Sequence, residues 1–319
     1  MKTYGIGIGI ILLVAATSVL GCECPPPDEF QITVNNRNQQ LPDIYEAIVV
    51  WQDHRNASWD IYGKNLCTET LFPICTNAFA QCRPAINGTN IVWEDQRNLN
   101  NDIYGYNLST GIEFAICTNK NAQEKPDIYG DIVVWEDDRK GNWDIFAYDP
   151  SIKSQFRITQ NTALQRMPAI YGTIVVWEDR RNGAKDIYGY NLSTQEEFPI
   201  VTAATGQRRP VIYGDIVVWQ DLRNGNWDIY GYDLSTGEEF PITTNPFSQE
   251  WPKIWGNTVV WVDYRNGHWD LYAYDLSTST EFHIALSLCN QLRPAIYGNV
   301  VVWFDDRNGN DDIFGFTIS

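Results

Sequence analysis

Residues 207–246 read QRRPVIYGDIVVWQDLRNGNWDIYGYDLSTGEEFPITTNP and decide the fold. Three turn signals divide this stretch into short runs rich in Val, Ile and Tyr: Gly214-Asp215, Asn224-Gly225 and Ser235-Thr236-Gly237. Runs of β-branched and aromatic residues separated by such turns are typical of antiparallel hairpins. The stretch therefore predicts four strands, at residues 210–213, 216–221, 228–234 and 239–243.

The same unit recurs seven times along the chain. Its central tryptophan returns every 42 residues without slippage, as Trp51, Trp93, Trp135, Trp177, Trp219, Trp261 and Trp303. Four short strands in a repeat of about 40 residues are typical of a β-propeller blade. The predicted fold class is therefore all-β, a seven-bladed β-propeller with four-stranded antiparallel blades.

The two ends of the repeat region complement each other. After Trp303 the chain has room for only one more strand, so the seventh unit lacks its fourth. Phe30 and Ile32, near the other end, are in phase with the fourth strands of the other units. An N-terminal strand that completes the last blade leaves no open sheet edge. We therefore expect residues 28–319 to form one closed ring.

The first 22 residues differ from the repeats. Lys2 precedes an apolar stretch at residues 6–20, which has the length of a signal-peptide core and is short for a membrane span. Val19-Leu20-Gly21-Cys22 resembles a lipobox, and a Pro-rich spacer follows at residues 23–27. This pattern predicts an exported lipoprotein lipidated at Cys22, whose only membrane contact is its lipid anchor. An ordinary cleaved signal or an uncleaved anchor is the alternative.

Composition and charge narrow the classes of partner. Hydrophobic residues make up 44% of the chain and charged residues 20%, which suits a folded domain with a sizeable core. The net charge is -17 and no Lys/Arg-rich run occurs, so nucleic acid is not expected as a partner. An acidic surface is instead consistent with a soluble monomer.

Cysteine and histidine give little sign of a reactive or metal centre. The cysteines do not recur in every unit, and Cys75 with Cys82 is the pair that we expect first as a disulfide. His54, His268 and His283 are the only histidines and fall at unrelated positions of their units. We therefore predict no catalytic residues, no metal site and no cofactor.

The repeat resembles a known type. Its first strand reads P-x-I-Y, its second V-V-W-x-D-x-R-N-G and its third D-I-Y-G-Y-D-L-S-T-G. In these motifs and in strand order, all seven units are similar to the TolB-like propeller repeats of exported bacterial and archaeal proteins. The resemblance implies the propeller fold and a location outside the cytoplasm. Some TolB-like propellers are carbohydrate lyases or stand beside peptidase domains, so the resemblance fixes no activity.

Residues present in every unit are interpreted as structural. We expect the Trp, Ile and Phe series to form the layers between blades. The W-x-D-x-R series, such as Asp53 with Arg55, is predicted to use Asp for turn or backbone donors. Its Arg is predicted to pair with a neighbouring acid, such as the series that begins at Asp60.

Functional residues are expected where the units differ. Each connection into a first strand reads Q-x-x-P, and the residue before Pro varies: Leu41, Arg83, Lys125, Met167, Arg209, Trp251 and Arg293. Arg166 and Arg208 stand one position earlier, and Tyr264 lies on a nearby hairpin. These residues are predicted to gather cations at one mouth of the central channel. The alternative is that they neutralise hairpin carboxylates such as Glu94, Glu136 and Glu178.

Two functions follow as hypotheses. The first is a cell-envelope binding or scaffold propeller, which engages an envelope protein, a glycan or another anionic ligand through the channel mouth. The second is a polysaccharide-active enzyme, a lyase or hydrolase, with its site in the channel.

Overall fold

The computed structural model describes residues 28–318, and its 28 strands form seven four-stranded antiparallel sheets. The chain is a seven-bladed β-propeller, as predicted. In the part of the chain that is described, no helix is long and apolar enough to cross a membrane. Cys22, the predicted signal peptide and the predicted spacer lie outside the described residues.

The strands follow one another in chain order through the blades. Strand β1 (Asp28–Gln31) precedes blade 1, formed by β2 (Gln39–Tyr45), β3 (Ile48–Asp53), β4 (Asp60–Asn65) and β5 (Thr70–Cys75). Blades 2 to 4 are β6 (Gln81–Asn87), β7 (Asn90–Asp95), β8 (Asp102–Asn107), β9 (Ile112–Cys117); β10 (Gln123–Tyr129), β11 (Ile132–Asp137), β12 (Asp144–Asp149), β13 (Ser154–Arg157); and β14 (Gln165–Tyr171), β15 (Ile174–Asp179), β16 (Asp186–Asn191), β17 (Glu196–Val201). Blades 5 to 7 are β18 (Gln207–Tyr213), β19 (Ile216–Asp221), β20 (Asp228–Asp233), β21 (Glu238–Thr243); β22 (Gln249–Trp255), β23 (Thr258–Asp263), β24 (Asp270–Asp275), β25 (Thr280–Ala285); and β26 (Leu292–Tyr297), β27 (Val300–Asp305), β28 (Asp312–Thr317).

Strand β1 closes the ring. It pairs antiparallel with β28, so the last sheet has the order β1-β28-β27-β26. Phe30 lies opposite Gly315, where a Cβ would stand 2.6 Å from the Phe30 ring, and Arg307 pairs with Glu29. The predicted N-terminal strand is confirmed, and its fit over a glycine explains why a side chain at position 315 is excluded.

The core lies between the blades. All seven repeat tryptophans have 0% exposure, and each hydrophobic cluster combines residues of two neighbouring blades. The Ile series that includes Ile44 and Ile212 is also buried. The Phe series lies further out, and Phe114 is 36% exposed. Its rings lie against the third strands, as Phe240 covers Gly231, and all but Phe114 also pack as partly buried residues against the clusters between blades, in agreement with the prediction.

The W-x-D-x-R series is structural, but its pairing differs in part from the prediction. Asp53 accepts the indole N–H of Trp51 at 2.9 Å and the backbone N–H of Arg55 at 2.9 Å. The Arg55 guanidinium donates back to the same Asp53 and lies over the Tyr62 ring. Asp60 instead accepts a hydrogen bond from Asn56, which holds the hairpin. In every blade the Arg pairs within its own W-x-D-x-R segment, and in blades 2 and 4 to 7 it also pairs with a Glu of the outer strand, such as Arg97 with Glu113. The predicted pairing with a neighbouring acid is therefore correct in these blades, but the acid is not one of the Asp60 series.

The predicted Cys75–Cys82 disulfide is wrong. Both are free thiols, as are Cys117 and Cys289, whereas Cys67 is disulfide-bonded. Cys75 is buried, and its Sγ accepts a hydrogen bond from Arg97 Nη2 at 3.3 Å. Cys82 lies on the first strand of the next blade, and burial raises the pKa of its thiol to about 11. Cys75 is therefore packed as a small buried group, and Cys82 is partly buried.

Candidate ligand site in the central channel

The seven first strands enclose a central cavity of about 580 Å³, a volume typical of small-ligand sites. Its wall has three layers, because alternate residues of a strand point the same way. The mouth layer is Leu41, Arg83, Lys125, Met167, Arg209, Trp251 and Arg293. The middle layer contains Asp43, Ala85, Asp127, Ala169, Val211 and Lys253. The collar is Tyr45, Asn87, Tyr129, Tyr171, Tyr213, Trp255 and Tyr297.

The mouth layer has an unusual backbone. Its seven residues all have positive φ, from 52° at Leu41 to 59° at Trp251, and each precedes a proline at a β-bulge. Non-glycine residues adopt this region at a cost of about 1 kcal/mol, so the conformation needs support. Five blades supply it through the residue after the repeat tryptophan. Glu178 Oε1, for example, accepts the Arg209 backbone N–H at 2.8 Å.

The five acceptors are Gln52, Glu94, Glu136, Glu178 and Gln220. In blades 6 and 7 the equivalent positions are Val262 and Phe304. The side chains at this position therefore link neighbouring blades, a role that the sequence pattern alone did not show. We call these five residues the staples.

Three of the predicted cations are neutralised by these staples, as the alternative interpretation held. Arg83 Nε lies 3.3 Å from Glu94, and Lys125 Nζ lies 2.7 Å from Glu136. Arg166 approaches the same Glu136 carboxylate at 2.5 Å. Blades 2 to 4 thus offer few free charges at the mouth.

Blades 5 to 7 differ. Arg209 and Arg293 lie on the Trp251 ring, with guanidinium carbons 3.1 and 2.9 Å from its centroid, and Arg208 lies over Trp227 at 3.5 Å. Among residues 28–318, no carboxylate oxygen lies within 4.0 Å of these three guanidinium groups. The buried Arg209 Nε also has no hydrogen-bond partner there.

Burial and mutual repulsion act on this cationic pair. Burial lowers the pKa of Arg293 to about 9, with Arg209 and Arg83 adding repulsion. Burial also lowers the pKa of Arg209 to about 10. Both groups stay charged at neutral pH. We call Arg209, Trp251 and Arg293 the arginine clamp.

The predicted mouth residues divide into two groups. Arg83, Lys125, Arg209, Trp251 and Arg293 line the channel. The remaining three, Arg166, Arg208 and Tyr264, are not part of the wall and belong to the surrounding face. Tyr264 is 41% exposed and contacts Trp269, with ring centroids 5.1 Å apart.

The charged part of the middle layer was missed from the sequence. Asp43 and Asp127 stand on blades 1 and 3, and each accepts a backbone N–H of the next blade at 2.9 Å, from Ile86 and Ile170. Burial raises the pKa of Asp43 to about 6, and Lys253 on blade 6 is the cation that opposes this most strongly. Burial raises the pKa of Asp127 too, again against Lys253. The position after each first-strand proline, compared across units, would have identified this layer.

The collar lines the other end of the channel. Six of its seven members are aromatic, and neighbouring rings lie 4.6 to 5.4 Å apart, as in Tyr129–Tyr171 and Tyr213–Trp255. Asn87 interrupts the series and accepts the Gly130 N–H at 2.9 Å.

The described residues contain no histidine in the channel wall and no cluster that could hold a metal ion. None of the three histidines is among the wall residues there, and His268 lies 3.1 Å from Asp270 on an outer hairpin. Over residues 28–318, no group of three or more His, Cys, Asp or Glu is arranged to hold a metal ion.

The chain is similar to known proteins in structure and not in sequence. No protein-family model matches the sequence, and no curated protein matches it. The propeller domain of the Trilobed protease from Pyrococcus furiosus has a TM-score of 0.70 and 14% identity, over 89% of this chain and 94% of that one. That domain has an open velcro topology, whereas β1 closes the ring here.

Two further solved structures are similar. Oligogalacturonate lyase from Vibrio parahaemolyticus has a TM-score of 0.67 and 13% identity, over 91% of this chain and 93% of that one. TolB from Acinetobacter baumannii has a TM-score of 0.53 and 16% identity, over 73% of this chain and 61% of that one. The neighbours thus include TolB proteins, a lyase and peptidase propellers. At these identities the likeness shows a shared β-propeller fold.

Proposed function

We propose that this protein is a binding propeller of the cell envelope, anchored through Cys22, which captures an acidic segment of a polypeptide partner at its channel mouth. The observation that carries the proposal is the arginine clamp. Two half-buried guanidinium groups share one indole and have no carboxylate within 4.0 Å among the described residues.

The energetics of the clamp favour an anionic ligand. Charge removed from water without a partner costs several kcal/mol, and two like charges side by side add to that cost. A ligand carboxylate offsets both terms, since guanidinium groups bind carboxylates through paired hydrogen bonds. A chain with a net charge of -17 that keeps two cations unneutralised fits a site built for an anion.

The surroundings of the clamp favour a polypeptide over a glycan. Both faces of Trp251 are covered by arginines, so the indole offers no face for a sugar ring. The rim beside it is apolar: Phe247 is 49%, Tyr264 41% and Leu288 93% exposed. The blade 6 hairpin joins these loops, because Tyr264 N–H binds Ser248 and Trp269 N–H binds Asn290. Apolar side chains of a partner would pack on this rim.

The proposed location rests on the lipobox-like sequence and on the similarity to TolB structures. We expect metabolic labelling with a fatty acid to mark the wild-type protein in the membrane fraction. A Cys22→Ala variant should lose the label. Labelling that persists in this variant would contradict the anchor.

Binding is tested by fluorescence anisotropy with a labelled peptide that alternates Glu and Phe. The Arg209→Gln/Arg293→Gln variant should bind at least about tenfold more weakly than wild type. Arg37→Gln/Lys140→Gln is the matched control, since it also removes two cations and both residues are exposed on connecting loops. Equal affinity of both variants would refute the clamp as the site. Polygalacturonate that displaces the peptide and binds more tightly would instead favour a glycan partner.

The enzyme alternative has one observation in its favour. Asp43, Asp127 and Lys253 approach each other from three blades, and an Asp43 pKa of about 6 suits proton transfer near neutrality. Turnover of an acidic polysaccharide by wild type, lost in Lys253→Met, would establish that function instead.

A further inference from the structure

The channel places opposite charges in successive layers. The arginine clamp lies in the mouth layer, and Asp43 and Asp127 lie in the middle layer below it. We propose that the two layers together bind one group that carries both a carboxylate and an ammonium, an ω-amino carboxylate such as a C-terminal lysine or a free aminoalkanoate. This inference rests on the proposed function, because it places the ligand carboxylate at the same clamp.

The spacing of the layers suits that group. Mouth and middle residues are two positions apart on each first strand, as Trp251 and Lys253 are on β22. Two residues of a regular strand span about 6.5 Å, and this is the upper limit here because the mouth residue stands in a bulge. The four-carbon side chain of a terminal lysine places its ammonium at a similar distance from its α-carboxylate. A cavity of about 580 Å³ holds such a side chain readily.

The middle-layer charges are not demanded by the repeat. At the same position blades 2, 4 and 5 carry Ala85, Ala169 and Val211. The blades therefore fold with a small apolar residue there. The N–H groups that bind Asp43 and Asp127 use part of each carboxylate, which can accept about four hydrogen bonds. Acceptor capacity remains for a ligand.

The charge balance of the layer favours an added cation. Two carboxylates stand against one ammonium, and Lys253 is the strongest cationic influence on both. A ligand ammonium brings the layer to neutrality, while the ligand carboxylate partly neutralises the clamp above. A plain carboxylate satisfies only the upper layer.

The test uses three acetylated tripeptides in calorimetric titrations of the full-length protein. Acetyl-Ala-Phe-Lys with a free carboxylate carries both charges, its norleucine analogue lacks the ammonium, and its C-terminal amide lacks the carboxylate. In wild type the lysine peptide should bind about tenfold more tightly than either analogue. If a free aminoalkanoate is the ligand, 6-aminohexanoate should displace the bound lysine peptide. If 6-aminohexanoate does not displace it, the ligand is the C-terminal lysine of a polypeptide.

Variants of the middle layer should act in opposite directions. Asp43→Asn/Asp127→Asn keeps the acceptors for Ile86 and Ile170 and should abolish the preference for lysine over norleucine. Lys253→Met should increase that preference, because it removes the competing ammonium. Asp215→Asn is the control, because it makes the same substitution at an exposed residue on a turn. A folding defect would not produce opposite effects within one layer.

The outcomes separate this inference from the proposed function. Norleucine binding that depends on Arg209 and Arg293, with no preference for lysine, overturns the inference and leaves the clamp in place. A lysine preference that survives in the double Asn variant also overturns it. Absence of carboxylate-dependent binding overturns both.

Discussion

Glu94 and Glu136 occupy the same position of neighbouring blades and ionise differently. Burial raises the pKa of Glu94 to about 7, and Arg83 offsets only part of that effect. Burial acts on Glu136 in the same sense, but hydrogen bonds from Arg166 and Lys125 outweigh it and lower the pKa. Both side chains accept a backbone N–H of the next blade, so their difference comes from the cations around them.

This pair predicts opposite effects of pH on stability. Glu94 binds its proton more tightly in the folded protein, so its stabilising contribution is present below pH 4.5 and is lost as the pH rises to about 7. Glu94→Gln should remove this loss and stabilise the protein at pH 8 by about 3 kcal/mol, with Gln accepting the N–H as Gln52 does.

Glu136→Gln is the matched comparison. The contribution of Glu136 is present above pH 4.5 and is lost as the pH falls through its lowered pKa. This variant should therefore destabilise the protein at pH 8. Urea unfolding at pH 4 to 8 measures both curves, and parallel curves for the two variants would contradict the assignment.

For the arginine clamp we expect that removing one charge increases stability and weakens binding. Arg293→Gln removes one of two buried like charges and should raise the free energy of unfolding by about 1 kcal/mol while it weakens peptide binding. Thermal unfolding with and without the Glu/Phe peptide measures both effects. A variant that is less stable and binds as before would oppose a ligand-directed role for Arg293.

At the scale of elements, the repeat predicted the strands closely because each strand boundary is a local turn signal. The second strand of blade 5 was predicted at 216–221 and is Ile216–Asp221. The first strand starts earlier than predicted, at Gln207, because the bulge at Arg209 lets pairing continue past it. The bulge recurs in all seven first strands, including those of blades 1 and 7, which no staple supports, and its register shift was not predicted.

Because β1 pairs with β28, we expect the ring to unfold as one cooperative unit. Ile32 is 5% exposed in the cluster between blades 1 and 7. Ile32→Ala should cost about 2–4 kcal/mol and should speed hydrogen exchange throughout β26–β28. Ile200→Ala, at the equivalent position inside blade 4, is the control and should cost similar energy without opening blade 7. Exchange in β26–β28 that is equal in both variants would argue against closure through β1.

For the whole molecule, seven similar blades make a ring whose function lies in its asymmetry. The sequence predicted the ring because every blade repeats the same signals, and it predicted the cationic mouth because the residue before proline varies visibly. The middle layer was not predicted, because nothing within a single unit shows that the position after proline, which carries Asp43, Asp127 and Lys253, faces the channel. The sequence also did not predict which mouth cations lack a carboxylate partner, because that depends on staples contributed by neighbouring blades.

The most direct test of the clamp as a ligand site is a crystal structure of the protein with acetyl-Ala-Phe-Lys. We expect the peptide carboxylate within about 3 Å of guanidinium nitrogens of both Arg209 and Arg293, with the lysine side chain directed toward Asp43 and Asp127. A peptide bound elsewhere, or a clamp that stays free of any carboxylate at saturating peptide, would contradict it.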